Sequence, residues 1–130
     1  MKITDEVLDK AYEFLKECEC FYVLTINGDF PAGRPFGAIM KNGNKLYIST
    51  HDGNQAHKQL RNNDHIQILA KKESSREWLR ITGLAEECRN INRKEQMLRD
   101  CPILQKHFPS AEYAHYLLFQ IEVQNVEFYQ

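Results

Sequence analysis

The chain has 130 residues, a net charge of −1 at pH 7 and a hydrophobic share of 42%. This length is typical of a single domain with its own core, so we treat residues 1–130 as one domain. The near-zero charge does not indicate a nucleic-acid-binding surface, and the hydrophobic share does not indicate disorder. No apolar run approaches the roughly 20 residues that span a bilayer. The acidic, amphipathic N-terminus is unlike a signal peptide, so we expect a cytoplasmic protein without membrane partners.

The cysteines and histidines do not form a recognisable metal-binding pattern. Cys18 and Cys20 make one C-x-C pair, and the other two cysteines are isolated. A zinc site requires two close pairs, or one pair with spaced histidines, so we expect reduced thiols and no metal. His51 and His57 have no carboxylate or cysteine at a suitable spacing, and we interpret them as turn or surface residues.

The predicted elements begin with a helix over residues 4–18, because apolar residues recur at helical spacing after a capping Thr4. A short helix is expected at Asn54–Asn62, and another helix starts at Asn92, with Glu95 completing a capping box, and runs through Leu98. Alternating apolar residues and turn signals predict six or seven strands. These are Phe21–Ile26, Arg34–Lys41, Lys45–Thr50, His65–Ala70, Glu77–Glu86, Tyr116–Val123 and Val126–Tyr129.

The order of these elements predicts a mainly β fold. The βαβ alternation of a parallel sheet is absent, and short turns connect most of the strands. Because closure removes exposed strand edges, we expect a closed antiparallel β-barrel with a few peripheral helices.

The strand that ends in Ser49 and Thr50 leads directly into the short helix. Two hydroxyls, a capping Asn54, Gln55 beside it, free helix N–H groups and Lys58 could meet there, an arrangement that suits a phosphate. Each feature has an ordinary alternative, because hydroxyls at strand ends commonly cap turns and a lysine on a short helix is commonly exposed.

Three further candidate binding residues lie outside the segment 49–58: Arg34, Trp78 and Arg80. The Arg34 guanidinium, just before a proline, could bind a phosphate or a flavin carbonyl, or it could face solvent. Trp78 and Arg80 share one face of a strand, where an indole can cover a flat aromatic ligand. A core or interface tryptophan beside a surface charge is the favoured interpretation of that pair.

Four segments, in order and spacing, resemble a known family. They are Gly33–Phe36, Lys45–Thr50, Lys58–Leu60 with the asparagines at 62 and 63, and Trp78–Ile81 with Gly83. The chain resembles the pyridoxamine 5′-phosphate oxidase-like, FMN-binding split-barrel family, most closely its short nitroimidazole-resistance-type members.

The resemblance implies a split β-barrel homodimer that binds FMN in clefts at the dimer interface. In this chain, the positions that match the cofactor-binding motifs are Arg34, Pro35, Phe36, Ser49, Thr50, Asn54, Gln55, Lys58, Gln59, Trp78 and Arg80. Relatives usually carry a phosphate-contacting lysine where this chain has Gln55 and Ala56. The phosphate contact is therefore weaker unless Lys58 or Arg34 replaces it.

The function implied is that of an FMN-dependent oxidoreductase. It would pass electrons from a reduced nicotinamide through the flavin to a small acceptor such as a nitroaromatic or a quinone. No arrangement of side chains indicates catalysis without a cofactor. The alternatives are a deazaflavin cofactor, a dimerisation module with an empty cleft, or a non-catalytic stress-response protein that carries a flavin or a haem. A haem would take its axial ligand from His51, His57 or His107.

Overall fold

The computed structural model describes residues 3–130. Helix α1 spans Asp5–Glu17, and the Thr4 hydroxyl accepts a hydrogen bond from the Val7 N–H at 3.2 Å, as predicted for its N-cap. The helix packs one apolar face onto the sheet and buries Leu8, Ala11, Phe14 and Leu15. Within residues 3–130, every helix is too short or too polar to cross a membrane.

Seven antiparallel strands form one sheet in the order β2-β1-β5-β6-β7-β4-β3. Their bounds are Phe21–Asn27 (β1), Phe30–Phe36 (β2), Met40–Asn42 (β3), Lys45–His51 (β4), His65–Lys71 (β5), Trp78–Cys88 (β6) and Tyr116–Tyr129 (β7). The mainly β, split-barrel fold is confirmed, but the expected closure is wrong. Over residues 3–130 no ladder joins the edge strands β2 and β3. Pro31 and Pro35 lie in β2 and lack the N–H that a further partner strand would need, which suits β2 to an edge.

Two strand predictions differ from the structure. The strand expected at Arg34–Lys41 is divided between β2 and β3, because residues 37–39 leave the sheet. The two strands expected at the C-terminus are one long strand, β7, with an irregularity opposite Thr82 and Gly83. Thr82 pairs with Asn125 and Gly83 with Val123, so Gln124 is the extra residue of a bulge.

Two helix starts also differ. Helix α2 spans Ala56–Asn62, with Gln55 rather than Asn54 at the N-cap and no side-chain capping bond. Helix α3 spans Ile91–Asp100, and the Asn90 side chain accepts the Arg93 N–H at 3.1 Å, so the cap expected at Asn92 is wrong. A 3-10 helix, η1 (Pro102–Lys106), follows α3.

The core lies on the inner face of the curved sheet and under α1. Alternate residues of β1, β5 and β6 point inward, so the buried face of β6 carries Leu79 and Ile81, as the alternation predicted. Trp78, Arg80 and Thr82 occupy the opposite face, where each is half-buried. This division leaves the outer face of β1, β5 and β6 available for other contacts.

Candidate functional site

A cleft of about 400 Å³ opens where the ends of β2 and β4 meet the segment after α3. The chain leaves β2 at Phe36, and β4 carries Ser49 and Thr50 directly before its last residue, His51. The cleft is lined by Pro35, Phe36, Gly37, Ala38, Ser49, Thr50, His51, Asn54, Leu104, His107 and Phe108. It therefore combines apolar and aromatic walls with a few polar groups, which is typical of small-molecule sites.

The cleft hydroxyls have spare hydrogen-bonding capacity. Ser49 and Thr50 are 8% and 4% exposed. Ser49 Oγ makes no hydrogen bond of acceptable geometry, and Thr50 Oγ1 reaches only the His51 carbonyl at 3.5 Å. Burial raises the pKa of the neighbouring Tyr116 to about 12, and the Ser49 hydroxyl opposes this rise because it is close enough to donate to an ionised Tyr116 oxygen. The neutral Tyr116 O–H donates to the Lys94 carbonyl at 3.0 Å, which leaves Ser49 Oγ without a partner within residues 3–130. A buried hydroxyl without a partner is costly, so a ligand that bonded Ser49 would satisfy it.

Five of the residues predicted from the sequence line this cleft together. They are Pro35, Phe36, Ser49, Thr50 and Asn54. The wall formed by Leu104, His107 and Phe108 was not predicted to face them, although His107 was considered as a haem ligand. These wall residues belong to the long connection between α3 and β7, which places them beside β4 only in the folded chain. No local sequence motif therefore predicts the wall.

Arg34 and Gln59 belong to a separate polar cluster within the fold. Arg34 donates from Nη1 to Thr25 Oγ1 at 2.8 Å and from Nη2 to Gln59 Oε1 at 2.7 Å. Gln59 Oε1 also accepts the Thr25 hydroxyl proton. Burial lowers the pKa of Arg34, and none of the acceptors is a carboxylate. The guanidinium thus joins β2 to α2 across β1, an arrangement that neither sequence interpretation of Arg34 anticipated.

The two other polar residues predicted at the start of α2 lie outside the cleft lining. Gln55 and Lys58 are exposed, and neither lines the cleft. Of the three polar side chains that were expected to meet a phosphate here, Asn54, Gln55 and Lys58, only Asn54 therefore lines the cleft. Among residues 3–130, the cleft lining includes no lysine or arginine.

Trp78 and Arg80 lie on β6 opposite the C-terminal end of β7, whereas the cleft lies near the N-terminal end of β7. The Trp78 ring stacks on Tyr129 with centroids 4.2 Å apart, and Arg80 Nε pairs with Glu127 at 2.9 Å. Trp78 is opposite Tyr129 on β7, whereas Thr50 is opposite Leu117. Twelve residues of strand at about 3.3 Å each separate these positions by roughly 40 Å along β7. One chain alone therefore does not bring this pair to the cleft.

An open, antiparallel seven-stranded sheet with a ligand-sized cleft at its edge defines a split-barrel protein. A family profile described as "Pyridoxamine 5'-phosphate oxidase" matches residues 7–129, so the chain belongs to that family. The family predicted from the four sequence segments is confirmed.

Solved structures support the same assignment. A NimC/NimA family protein from Clostridium acetobutylicum superposes with a TM-score of 0.88 at 30% identity, covering 95% of this chain and 88% of that one. General Stress Protein 26 from Bacillus anthracis gives a TM-score of 0.79 at 15% identity, covering 95% and 93%. An FAD-binding protein from Mesorhizobium loti gives a TM-score of 0.68 at 19% identity, covering 97% and 94%. The last two show likeness of fold alone. No curated protein matches this chain.

Proposed function

We propose that the protein is an FMN-binding flavoprotein and, as an enzyme, an oxidoreductase that acts on a small acceptor. The observation that carries the proposal is the cleft itself, in which the buried Ser49 hydroxyl, without a hydrogen-bond partner within residues 3–130, adjoins apolar and aromatic walls. The proposal is consistent with the family and with one structural neighbour, the FAD-binding protein from Mesorhizobium loti.

The cleft residues fit a flavin in most respects. Phe36, Phe108 and Pro35 offer flat apolar surface for the ring system, and Ser49, Thr50 and Asn54 offer donors for phosphate oxygens. Because the cleft lining includes no lysine or arginine within residues 3–130, neutral donors would have to hold the phosphate. We therefore expect FMN to bind through hydrogen bonds more than through charge pairing.

We also propose a homodimer, which would complete the site. The roughly 40 Å between Trp78 and Thr50 along β7 separates two parts of the predicted site within one chain. A second copy whose Trp78–Tyr129 end lay against the cleft would rejoin them. Tyr22, 51% exposed on the outer face of β1, provides apolar area for such a contact.

When bound, FMN would supply hydride and electron transfer from a reduced nicotinamide to an acceptor such as a nitroaromatic or a quinone. This chain's own residues would bind and orient the cofactor. The Ser49 and Thr50 hydroxyls would fix its polar end, while Phe36 and Phe108 would exclude water from one side. The four cysteines are free, which favours a reducing compartment such as the cytoplasm.

The test is a titration of flavin-free protein with FMN, followed by flavin fluorescence. Thr50→Val and Ser49→Ala each remove one hydrogen bond to a charged group, so we expect FMN affinity to fall about 10-fold or more. Ser74→Ala, at an exposed serine outside the cleft, is the matched control and should leave affinity unchanged.

Three results would contradict the proposal. They are no FMN binding by the wild type, equal affinity in wild type and both cleft variants, or purified protein with a haem Soret band in place of a flavin spectrum. Nicotinamide consumption with a panel of nitroaromatic and quinone acceptors would then separate an enzyme from a carrier.

A further inference from the structure

Three side chains with metal-ligating atoms meet beside the cleft: His51, Asp52 and His115. His115 Nδ1 lies 2.9 Å from Asp52 Oδ1 and 3.1 Å from Oδ2, and His51 Nδ1 lies 3.5 Å from the same Oδ1. One ligand atom from each residue falls within 4.8 Å of the other two. Over the part of the chain that the structure describes, no other group of three meets this limit. The sequence spacing did not indicate a carboxylate partner for His51, but the structure places the Asp52 carboxylate beside it.

The backbone of two paired strands fixes the positions of these residues. His51 is the last residue of β4 and is opposite Tyr116, the first residue of β7. The Asp52 N–H donates to the His115 carbonyl at 3.0 Å, which continues the strand pairing by one step. The spacing of the three ligands is therefore set by the sheet and does not depend on a free loop.

Neighbouring rings restrict the two imidazoles. The His51 and His115 rings stack with centroids 5.2 Å apart and an interplanar angle of 16°. Phe108 stacks against His51 at 6.3 Å, and Tyr113 contacts it edge-on at 6.4 Å. Because an imidazole binds an ion through a lone pair in the plane of its ring, at least one of these two nearly parallel rings must turn when a metal binds.

We propose that His51, Asp52 and His115 bind a divalent first-row transition metal ion such as Zn²⁺. Two imidazole nitrogens and one carboxylate oxygen suit Zn²⁺ and neighbouring ions, whereas Mg²⁺ and Ca²⁺ prefer oxygen ligands. At Zn–ligand bonds of about 2.0–2.1 Å, tetrahedral ligands are about 3.3 Å apart. The separations of 2.9 Å and 3.5 Å to Asp52 Oδ1 lie on either side of that value. A fourth position would remain for water or an anion.

Metal binding must displace two existing interactions. The Gly53 N–H donates to His51 Nδ1 at 2.9 Å, and His115 Nδ1 lies within hydrogen-bonding distance, 2.9 Å, of Asp52 Oδ1.

The test uses flavin-free, chelator-treated protein, titrated with Zn²⁺ and separately with Mg²⁺ by calorimetry. We expect one Zn²⁺ per chain with a dissociation constant in the micromolar range or tighter, and no Mg²⁺ binding. His115→Asn and Asp52→Asn should each weaken Zn²⁺ binding about 10-fold or more. Co²⁺ should give the visible absorption bands of a low-symmetry site, and these should be absent from both variants.

Two control variants locate the ion. His65 lies 3.5 Å from Asp64 without a third ligand, so His65→Asn removes a comparable exposed histidine and should leave affinity unchanged. Cys20→Ser removes the exposed thiol of the C-x-C pair and should also have no effect.

The proposal is overturned if Zn²⁺ does not bind below about 1 mM, if His115→Asn and Asp52→Asn bind as tightly as wild type, or if Cys20→Ser abolishes binding. Since the protein tested contains no flavin, failure here is distinct from failure of the proposed flavoprotein function.

Discussion

Gly83 is the position where a single added methyl group should be most damaging to the fold. A Cβ built on Gly83 would lie 2.5 Å from the Glu122 carbonyl oxygen and 3.0 Å from Ile121 Cγ2. The nearest atom belongs to the backbone of β7, so it cannot move away as the end of a flexible side chain can. The Gly83→Ala change therefore requires the two longest strands to separate at the bulge.

The expected cost follows from that geometry. Overpacking in a well-packed interior costs about 1–3 kcal/mol, and the β6–β7 ladder is the longest in the sheet, so we expect about 2–3 kcal/mol. With a urea m-value of roughly 1–3 kcal/mol/M, the unfolding midpoint should fall by about 0.7–3 M. The measurement is equilibrium urea unfolding at fixed protein concentration, followed by circular dichroism and tryptophan fluorescence.

Gly33→Ala is the matched control, because it is also a glycine within a strand. There the nearest atom to an added Cβ is Leu24 Cγ at 3.6 Å, an ordinary contact. We expect this variant to stay within about 0.5 kcal/mol of wild type. If Gly83→Ala is as stable as Gly33→Ala, the argument that the bulge requires glycine is refuted.

Two further predictions concern polar groups. Arg34→Met and Gln59→Leu, combined in a double-mutant cycle of urea unfolding, should show a coupling energy of about 1.5–3 kcal/mol, because the partly buried guanidinium donates a charged hydrogen bond to the buried Gln59 amide oxygen; a coupling near zero would mean that the two side chains do not interact in solution. The second prediction concerns Glu127, whose pKa is lowered from 4.5, first by its hydrogen bond with Arg80. A depressed folded-state pKa stabilises the protein above the unfolded value, and this stability is lost as the pH falls through the folded value. Glu127→Gln should therefore lose less stability than wild type when thermal unfolding is compared between pH 6 and pH 3, and an equal loss in both proteins would contradict the assignment.

The arrangement of the cleft gives the proposed dimer a physical role. The cleft contains donors and apolar walls, and the stacked Trp78–Tyr129 pair with its Arg80–Glu127 ion pair lies roughly 40 Å away along β7. The proposed dimer would place a charged and aromatic surface against a cleft whose lining contains neither lysine nor arginine within residues 3–130. FMN affinity that depends on protein concentration would be the signature of such a shared site.

Much of this architecture was determined by local sequence. The period of apolar residues in α1, the Thr4 cap and the alternation of Leu79 and Ile81 with Trp78 and Arg80 each depend on neighbours within one turn or one strand. Four short segments in the right order were sufficient to indicate the family. The same local order predicted that Ser49 and Thr50 lie near the end of a strand, and both line the cleft.

Tertiary structure decided what depends on contacts between distant segments. Arg34 forms hydrogen bonds within the fold because β1 lies between β2 and α2. This arrangement places Thr25 of β1 and Gln59 of α2 within reach of the guanidinium. His115 meets His51 and Asp52 only because β7 pairs with β4, although 63 positions separate His115 from Asp52. The open edge of the sheet depends on which strands pair, and hydrophobic alternation does not specify the partner of a strand. A local pattern determines which face of an element is buried, whereas only the assembled sheet determines which residues share a site.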